Sequence, residues 1–228
     1  LSFSNNTNIA GGNVFVLGAT FENTANRLVQ FAASQGKQKI LVVHADNVAG
    51  QAGRNAINTA MAGTSATSAG VVAYEFSQQG VVNAVTTIKG AVTQNQADSI
   101  FLTSSTSGAL PLISQLLPEA GLTSEKVQYI GLTRWDIPSQ TLALPGVQNG
   151  WFARPDAAQT QQFQTRYSQA YGGLPHALGG LAYDGVAAIG ALVKAGKSNA
   201  LTTSALTQGA GFQGVNGIFR LRADGSNE

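Results

Sequence analysis

Cysteine is absent from the 228-residue chain. Its absence excludes a disulfide framework, a thiolate nucleophile, an iron–sulfur cluster and the common structural zinc sites, because all of these depend on cysteine sulfur. A chain without cysteine is compatible with a reducing or an oxidising compartment, so this feature alone does not indicate where the protein acts.

Charge is also scarce. Charged residues make up 11% of the chain, and 13 Lys and Arg against 11 Asp and Glu leave a formal net charge of +2, whereas an average soluble domain carries roughly 25% charged residues. Nucleic-acid recognition needs clustered cations, and these cations are scattered, so no nucleic-acid partner is expected. The 43% of hydrophobic residues favours a folded protein over a disordered one.

Long hydrophobic runs are missing as well. No run reaches the roughly 18 apolar residues that suggest a membrane span. The most apolar candidate helix, 177–195, contains Asp184 and Lys194. We therefore expect no membrane insertion.

Motifs for catalysis and cofactors are few. His44 and His176 are far apart in sequence and no G-x-S-x-G is present, so neither a metal pair nor a serine triad is supported. The G-x-G-x-x-G spacing at 209–214 follows a predicted helix and leads into a predicted strand, which is the reverse of a dinucleotide fingerprint and favours a loop. Gly196-Lys197-Ser198 ends like a phosphate loop but lacks its first glycine, so the lysine is predicted to complement a helix dipole. We expect no enzyme activity, no metal and no cofactor.

Short β-branched runs alternate with stretches of helical period over the first two thirds of the chain. Strands separated by single helices require right-handed parallel crossovers, so the sequence predicts an α/β fold with a doubly wound parallel sheet. The predicted strands are 14–17, 39–44, 71–76, 99–102 and 127–131.

The alternation of strand-like and helix-like segments stops after Gly131, where prolines and glycines interrupt any regular element up to Gly150. The remainder is predicted to hold helices at 157–171, 177–194 and 201–208 and one strand at 215–221. Several helices with a single strand cannot form their own sheet. We expect this segment to pack on upstream sequence or on a partner chain.

The architecture predicts where a ligand binds, because open parallel sheets bind ligands beyond the carboxyl ends of their strands. The loops at that edge include 45–50, with Asn47, and 103–107, a run of five hydroxyl residues with Ser104 and Thr106. One helix N-cap explains one hydroxyl of the run and not five, so the loop is a candidate ligand contact. In the loop 132–136, Trp135 beside Arg134 either closes over a ligand or wedges the lobe boundary, and Asp136 is interpreted as a turn residue.

Several short motifs, taken in order, resemble type I periplasmic binding proteins, in particular the leucine/isoleucine/valine receptors and the related penicillin-binding protein activators. The motifs are LSFSNNT at 1–7, NVFV at 13–16, ILVVHADNVAG at 40–50, AYDGV at 182–186, GVNGIF at 214–219 and ADG at 223–225. The resemblance implies a two-lobed fold that closes on a small solute and presents it to a membrane transporter from the periplasm, without chemistry.

The resemblance also implies a domain organisation. Family members are longer, so we expect an N-terminal part to be missing and the second of the two lobes to accompany an incomplete first lobe. Residues 1–13 are then a remnant of the first lobe, 14–150 form the flavodoxin-like second lobe, and 151–228 return to the first lobe. The apolar and polar alternation of 1–4, which begins like a strand already under way, agrees with this expectation.

The resemblance implies site residues position by position. Ser4 and Asn6 match the segment that contacts the carboxylate and amine of the ligand in amino-acid receptors. Ala49 stands where those receptors have an aromatic residue, and Leu132-Thr133-Arg134 stand where they have an acidic one. An ammonium group would lack its partner, so another carboxylate is favoured. The alternative is an activator-like regulator that contacts a cell-wall synthase. The candidate ligand-binding residues are Ser4, Asn6, Asn47, Ser104, Thr106, Thr133, Arg134 and Trp135.

Overall fold

Strands and helices alternate between residues 21 and 153 and build one parallel sheet. The computed structural model describes residues 1–196, 199 and 201–228. The five strands are β1 (Lys39–Ala45), β2 (Thr67–Tyr74), β3 (Ser99–Leu102), β4 (Gln128–Gly131) and β5 (Trp151–Phe152). They lie in the order β2-β1-β3-β4-β5, and all neighbours are parallel. The helices are α1 (Phe21–Ser34), α2 (Val48–Ala62), α3 (Gln78–Asn95) and α4 (Leu110–Glu119). The predicted doubly wound α/β fold is confirmed.

Helices cover both faces of this sheet. Leu41 and Val43 of β1 point into one apolar cluster with α3 and α4, whereas Ile40 and Val42 point into a second cluster with α1 and α2. Successive residues of a strand face opposite sides of its sheet. A strand buried on both sides is therefore mostly apolar, which explains the apolar run 40–43 of β1. His44 is the buried polar exception in β1, and its Nδ1 lies 2.8 Å from the Ala45 carbonyl oxygen.

The chain divides into two compact units. One, here called the sheet unit, is Phe21–Ala153; the other, here called the split unit, combines Leu1–Thr20 with Arg154–Glu228. The sequence predicted domain boundaries at 13/14 and 150/151, whereas the chain passes from one unit to the other at 20/21 and 153/154. The assignment of these units to the lobes of a longer protein stays a prediction.

The segment 14–17 is not a strand of the sheet, which corrects the prediction. Its backbone bonds go to both ends of the chain: Leu17 N–H donates to the Ser2 carbonyl (2.8 Å), and Val16 N–H donates to the Gly225 carbonyl (2.9 Å). Val16 forms a single parallel bridge with Ser2. These partners hold the segment in the split unit.

The split unit contains helices and one small hairpin. The helices are α5 (Ala157–Tyr171), α6 (Gly179–Lys194) and α7 (Thr203–Leu206), and the antiparallel strands are β6 (Phe212–Gly214) and β7 (Gly217–Phe219). Six of its buried apolar side chains form two clusters of three residues each, and α5 buries none of its residues fully. Lys197 and Ser198 of the segment that resembles a phosphate loop lie outside the described residues.

The single strand predicted at 215–221 is instead a hairpin, because Asp184 holds a turn in its middle. The buried Asp184 carboxylate accepts hydrogen bonds from Val215 N–H (2.5 Å) and Asn216 N–H (3.2 Å). Gly217, which follows, has a φ of +117°, a conformation that only glycine adopts readily. Asp184 therefore fixes a turn within the split unit.

Two helical glycines of the sheet unit give a matched test of its packing. A Cβ at Gly50 would overlap the Ala45 carbonyl oxygen, whereas a Cβ at Gly90 would meet no atom within 4 Å. We expect Gly50→Ala to lower the free energy of unfolding by about 1–3 kcal/mol and Gly90→Ala to raise it by up to about 1 kcal/mol. Urea unfolding measures both changes, and equal effects would contradict the packing described for α2.

Candidate functional site

The carboxyl ends of the parallel strands converge on one edge of the sheet unit, here called the carboxyl edge. It is formed by the loops that follow β1, β2, β3 and β4, at 46–47, 75–77, 103–109 and 132–138. In open parallel sheets this edge is where ligands bind. Six of the eight predicted site residues lie here, including Asn47 just before α2.

Asn47 is the N-cap of α2. Its side-chain oxygen accepts a hydrogen bond from Gly50 N–H (2.8 Å), which satisfies one of the free N–H groups of the first helical turn. The neighbouring Asp46 accepts a hydrogen bond from the Gln51 amide (3.2 Å). The loop after β1 is therefore ordered by its own polar side chains.

Two of the predicted site residues, Thr106 and Thr133, connect the loops after β3 and β4 by hydrogen bonds. Thr106 Oγ1 donates to the Ile137 carbonyl (2.7 Å), and Thr133 Oγ1 donates to the Ser104 carbonyl (3.1 Å). These bonds hold the two loops side by side. Thr106 and Thr133 thus position the edge through contacts with the backbone.

Ser104 lies beneath this surface, with 5% of its area exposed. Burial raises the pKa of the Tyr74 hydroxyl, and the adjacent Ser104 hydroxyl acts in the opposite direction. The exposed hydroxyl of the run is instead that of Ser107, and its oxygen is 3.4 Å from that of the half-buried Ser105. Because β3 is buried on both faces, its residue alternation does not indicate which hydroxyls of the following loop face outward.

Arg134 forms a closed ion pair with Asp136. The guanidinium donates from Nε to Oδ1 (2.5 Å) and from Nη2 to Oδ2 (2.6 Å), with the Arg134 side chain 36% and the Asp136 side chain 14% exposed. Such a two-point contact satisfies both charges. Asp136 lies in a turn, as the sequence predicted, and its carboxylate also pairs with Arg134, which the sequence did not indicate.

Trp135 is fully buried and makes no contact with solvent. A Cβ at Gly131 or at Gly150 would overlap its indole, and its ring centroid is 6.1 Å from that of Phe152. The absence of side chains at the two glycines makes the space that the indole fills. Trp135 is therefore a packing anchor of the sheet unit, and the prediction that it closes over a ligand is not compatible with this position.

Two apolar side chains that the sequence did not single out are exposed at the carboxyl edge. Phe76 is 62% and Val48 is 82% exposed. The Phe76 ring lies 3.7 Å from the position that a Cβ on Gly108 would take, so it lies beside the loop that carries Ser105 and Ser107. Exposed apolar groups next to hydroxyls are typical of ligand contacts.

Ser4 and Asn6, the candidates in the split unit, make local turns. Ser4 Oγ accepts a hydrogen bond from Asn6 N–H (3.0 Å), and Asn6 Oδ1 accepts one from Asn8 N–H (3.0 Å). Asn6 thereby caps the short 3₁₀ helix Thr7–Ile9. Their oxygens order this segment, and the role in ligand binding that the resemblance implies stays a prediction.

An aromatic pocket of about 540 Å³ lies within the split unit, between α5, α6 and the hairpin. The Phe163 and Tyr183 rings are 5.4 Å apart and the Tyr167 and Tyr171 rings 4.7 Å apart, between centroids. Arg166 also lines the pocket. The spacing of Phe163, Tyr167 and Tyr171 puts them on one helical face, a pattern that in sequence resembles an ordinary core face and so was not recognised as a pocket.

In the described part of the chain, no group of three or more His, Asp or Glu side chains is placed to hold a metal ion. Across the same residues, no helix combines the length and the apolar character needed to cross a membrane.

Comparisons with known proteins point to one family. A family model described as periplasmic binding protein matches residues 2–228. No curated protein sequence matches the chain.

Three solved structures illustrate the similarity of fold. An ABC transporter substrate-binding protein from Desulfitobacterium hafniense in complex with Leu is 18% identical, with a TM-score of 0.64, over 91% of this chain and 60% of that chain. A branched-chain amino acid ABC transporter periplasmic ligand-binding protein from Burkholderia xenovorans is 18% identical, with a TM-score of 0.73, over 91% and 56%. A solute-binding protein from R. palustris in complex with benzoate is 16% identical, with a TM-score of 0.64, over 94% and 59%. The chain thus spans 60% or less of the length of these proteins.

Trp135 and Phe76 provide a matched pair of aromatic side chains at one edge, one buried and one exposed. We expect Trp135→Ala to lower the free energy of unfolding by about 3–5 kcal/mol, because it leaves a large cavity in the core. Phe76→Ala should change it by no more than about 0.5 kcal/mol, as at other surface positions. Denaturant unfolding monitored by circular dichroism measures both, and a small effect of Trp135→Ala would contradict the anchoring role.

Proposed function

The chain belongs to the periplasmic binding protein family, and from this premise we propose that it is part of an extracytoplasmic receptor that captures a small organic solute for an ABC transporter. The family consists of solute-binding proteins, and the family model extends over residues 2–228. We further propose a periplasmic location and a binding role without catalysis. Because the chain spans about 60% of the length of its structural relatives, the proposal concerns the whole protein.

The closed Arg134–Asp136 pair is the observation that carries the proposed ligand class. The resemblance implies that amino-acid receptors hold the ligand ammonium with an acidic residue after the fourth strand. Asp136 occupies that loop here, but both of its oxygens accept hydrogen bonds from Arg134. A ligand ammonium would have to displace a two-point ion pair, which opposes binding. A carboxylate without an amine is therefore the favoured ligand.

The exposed groups of the carboxyl edge fit such a ligand. Ser105 and Ser107 offer hydroxyl donors that suit a carboxylate. Phe76 offers an exposed ring beside them, which suits an apolar or aromatic ligand body. Among the structural relatives, the R. palustris protein is described in complex with benzoate, a ligand of this kind.

The aromatic pocket of the split unit independently supports an apolar or aromatic ligand. Ring faces such as those of Phe163 and Tyr183 pack well against flat apolar groups. The Arg166 guanidinium among them suits an anionic substituent. We propose Tyr183 and Arg166 as ligand-binding residues within the split unit itself.

The test is isothermal titration of the whole protein, expressed from its complete gene, with benzoate and with leucine. We expect benzoate or a related aromatic carboxylate to bind and leucine to bind at least about tenfold more weakly, which corresponds to about 1.4 kcal/mol. Phe76→Ala should weaken binding of the carboxylate, and Leu174→Ala, at a site 78% exposed in the split unit, serves as the control.

Two outcomes would contradict the proposal. Tight binding of leucine that is lost in Glu75→Gln would show that the exposed Glu75, next to Phe76, holds an ammonium group. Failure of every small carboxylate to bind, together with capture of a cell-wall synthase by the immobilised protein, would favour the activator-like alternative.

A further inference from the structure

Strand β2 forms one edge of the sheet unit, since it lies at the end of the strand order, next to β1. The Asp46 N–H donates to the Tyr74 carbonyl (2.7 Å), so the backbone groups of Tyr74 point toward β1. Because the backbone groups of successive strand residues point to opposite sides, those of Val71 and Ala73 point away from the sheet. Within the described part of the chain, no residue forms a backbone hydrogen bond with them on that side. Such an edge is a template for another strand.

Local contacts close the two ends of this edge and leave 71–73 open. Before the open stretch, a bulge interrupts the pairing of β2 with β1, and the Asn95 side-chain amide donates to the Ala69 carbonyl (2.7 Å). After it, the Ser77 N–H donates to the Glu75 carbonyl (2.7 Å). A strand that pairs with this edge is therefore held to the short stretch 71–73, which fixes its register.

The open stretch lacks the features that usually prevent strands from pairing at an edge. Val72 belongs to the apolar cluster with α3, so Val71 and Ala73 face the opposite side of the sheet. Both of these side chains are exposed, Val71 to 44%. The whole strand, 67–74, contains no charged residue and no proline. Natural edge strands are commonly protected by lysine or proline, and this one has neither.

The charges at the two ends of the edge are opposite in sign and lie on the same side of the sheet. Exposed Lys39 lies at the amino end and donates from Nζ to Gln96 Oε1 (3.1 Å), just after α3. Exposed Glu75 lies at the carboxyl end, where a Cβ on Gly80 of α3 would be 2.7 Å from Glu75 Cβ. Asp98 lies on the far side of β1, where its carboxylate accepts two backbone hydrogen bonds. The edge is thus complementary in charge to a reversed copy of itself.

We propose that this edge pairs with the same edge of a second copy of the chain, antiparallel and around a two-fold axis at Val72. Val71 of each copy then lies opposite Ala73 of the other. Because both residues direct their N–H and C=O groups outward, each such pair exchanges two hydrogen bonds. The arrangement brings Glu75 of each copy toward the amino end of the other edge, where Lys39 lies. Parallel pairing would set Glu75 beside Glu75, which like-charge repulsion opposes. This proposal goes beyond the proposed function and does not depend on the ligand.

The experiment is sedimentation velocity of the whole protein, expressed from its complete gene, over a range of concentrations. We expect a reversible dimer with a dissociation constant on the order of 10 μM, because the paired stretch is short. Val71→Lys should raise this constant at least about tenfold, since a lysine on an edge strand opposes pairing. Val82→Lys is the matched control, because Val82 is 43% exposed and lies on α3. Its effect should be less than about threefold.

A proline variant tests the backbone hydrogen bonds themselves. Ala73→Pro removes the outward N–H, and proline is tolerated in an edge strand where the N–H faces away from the sheet. We expect the dissociation constant to rise at least about tenfold, with a circular dichroism spectrum like that of the wild type. If Ala73→Pro does not fold, Val71→Lys, which leaves the backbone unchanged, provides the test.

Hydrogen exchange of the wild-type protein distinguishes this interface from any other. We expect the amides of Val71 and Ala73 to become protected as the concentration rises through the dissociation constant. The Val72 and Tyr74 amides point toward β1 and should be protected at every concentration. A protein that stays monomeric at about ten times the expected dissociation constant, a dimer weakened equally by Val71→Lys and Val82→Lys, or a dimer without protection at 71 and 73 would overturn the proposal. No ligand is used, so none of these results bears on the proposed function.

Discussion

Burial of the parallel sheet on both faces is the constraint on which the sheet unit depends. Because α1 and α2 cover one face and α3 and α4 the other, polar side chains on the buried strands are few and lie mostly near the strand ends. The loops after β3 and β4 are then joined by the Thr106 and Thr133 hydrogen bonds and anchored by Trp135. The same burial that stabilises the unit thus produces a firm polar edge, which is where the proposed ligand contacts lie.

The sequence predicted the alternation of the sheet unit well, because each buried strand is an apolar run with its own local signal. It failed where partners are distant in sequence. The segment 14–17 has the pattern of a sheet strand, but its backbone partners are Ser2 and Gly225 at the two ends of the chain. The strand predicted at 215–221 is broken by Asp184, which is about thirty residues away. Local periodicity contains no information about either partner.

The sequence indicates where the loops of the candidate site lie but not which of their side chains face outward. The carboxyl edge follows from topology alone, and its loops were identified from the sequence. Which hydroxyls face outward depends on the course of the loop after β3. The sequence therefore predicted Ser104 as a ligand contact, although its side chain is buried. The Arg134–Asp136 pair and the cavity for Trp135 between Gly131 and Gly150 depend on side-chain geometry. Phe76 and the aromatic pocket had sequence signals that resemble those of ordinary core residues.

The claim that the Arg134–Asp136 pair sets the ligand class is tested most directly by titrating leucine into the whole protein carrying Arg134→Gln. This change removes the guanidinium from both Asp136 oxygens and makes the carboxylate available to a ligand ammonium. We expect leucine to bind to Arg134→Gln at least about tenfold more tightly than to the wild type, whereas Asp136→Asn should not tighten leucine binding. Leucine affinity that is the same in the wild type and in Arg134→Gln would contradict it.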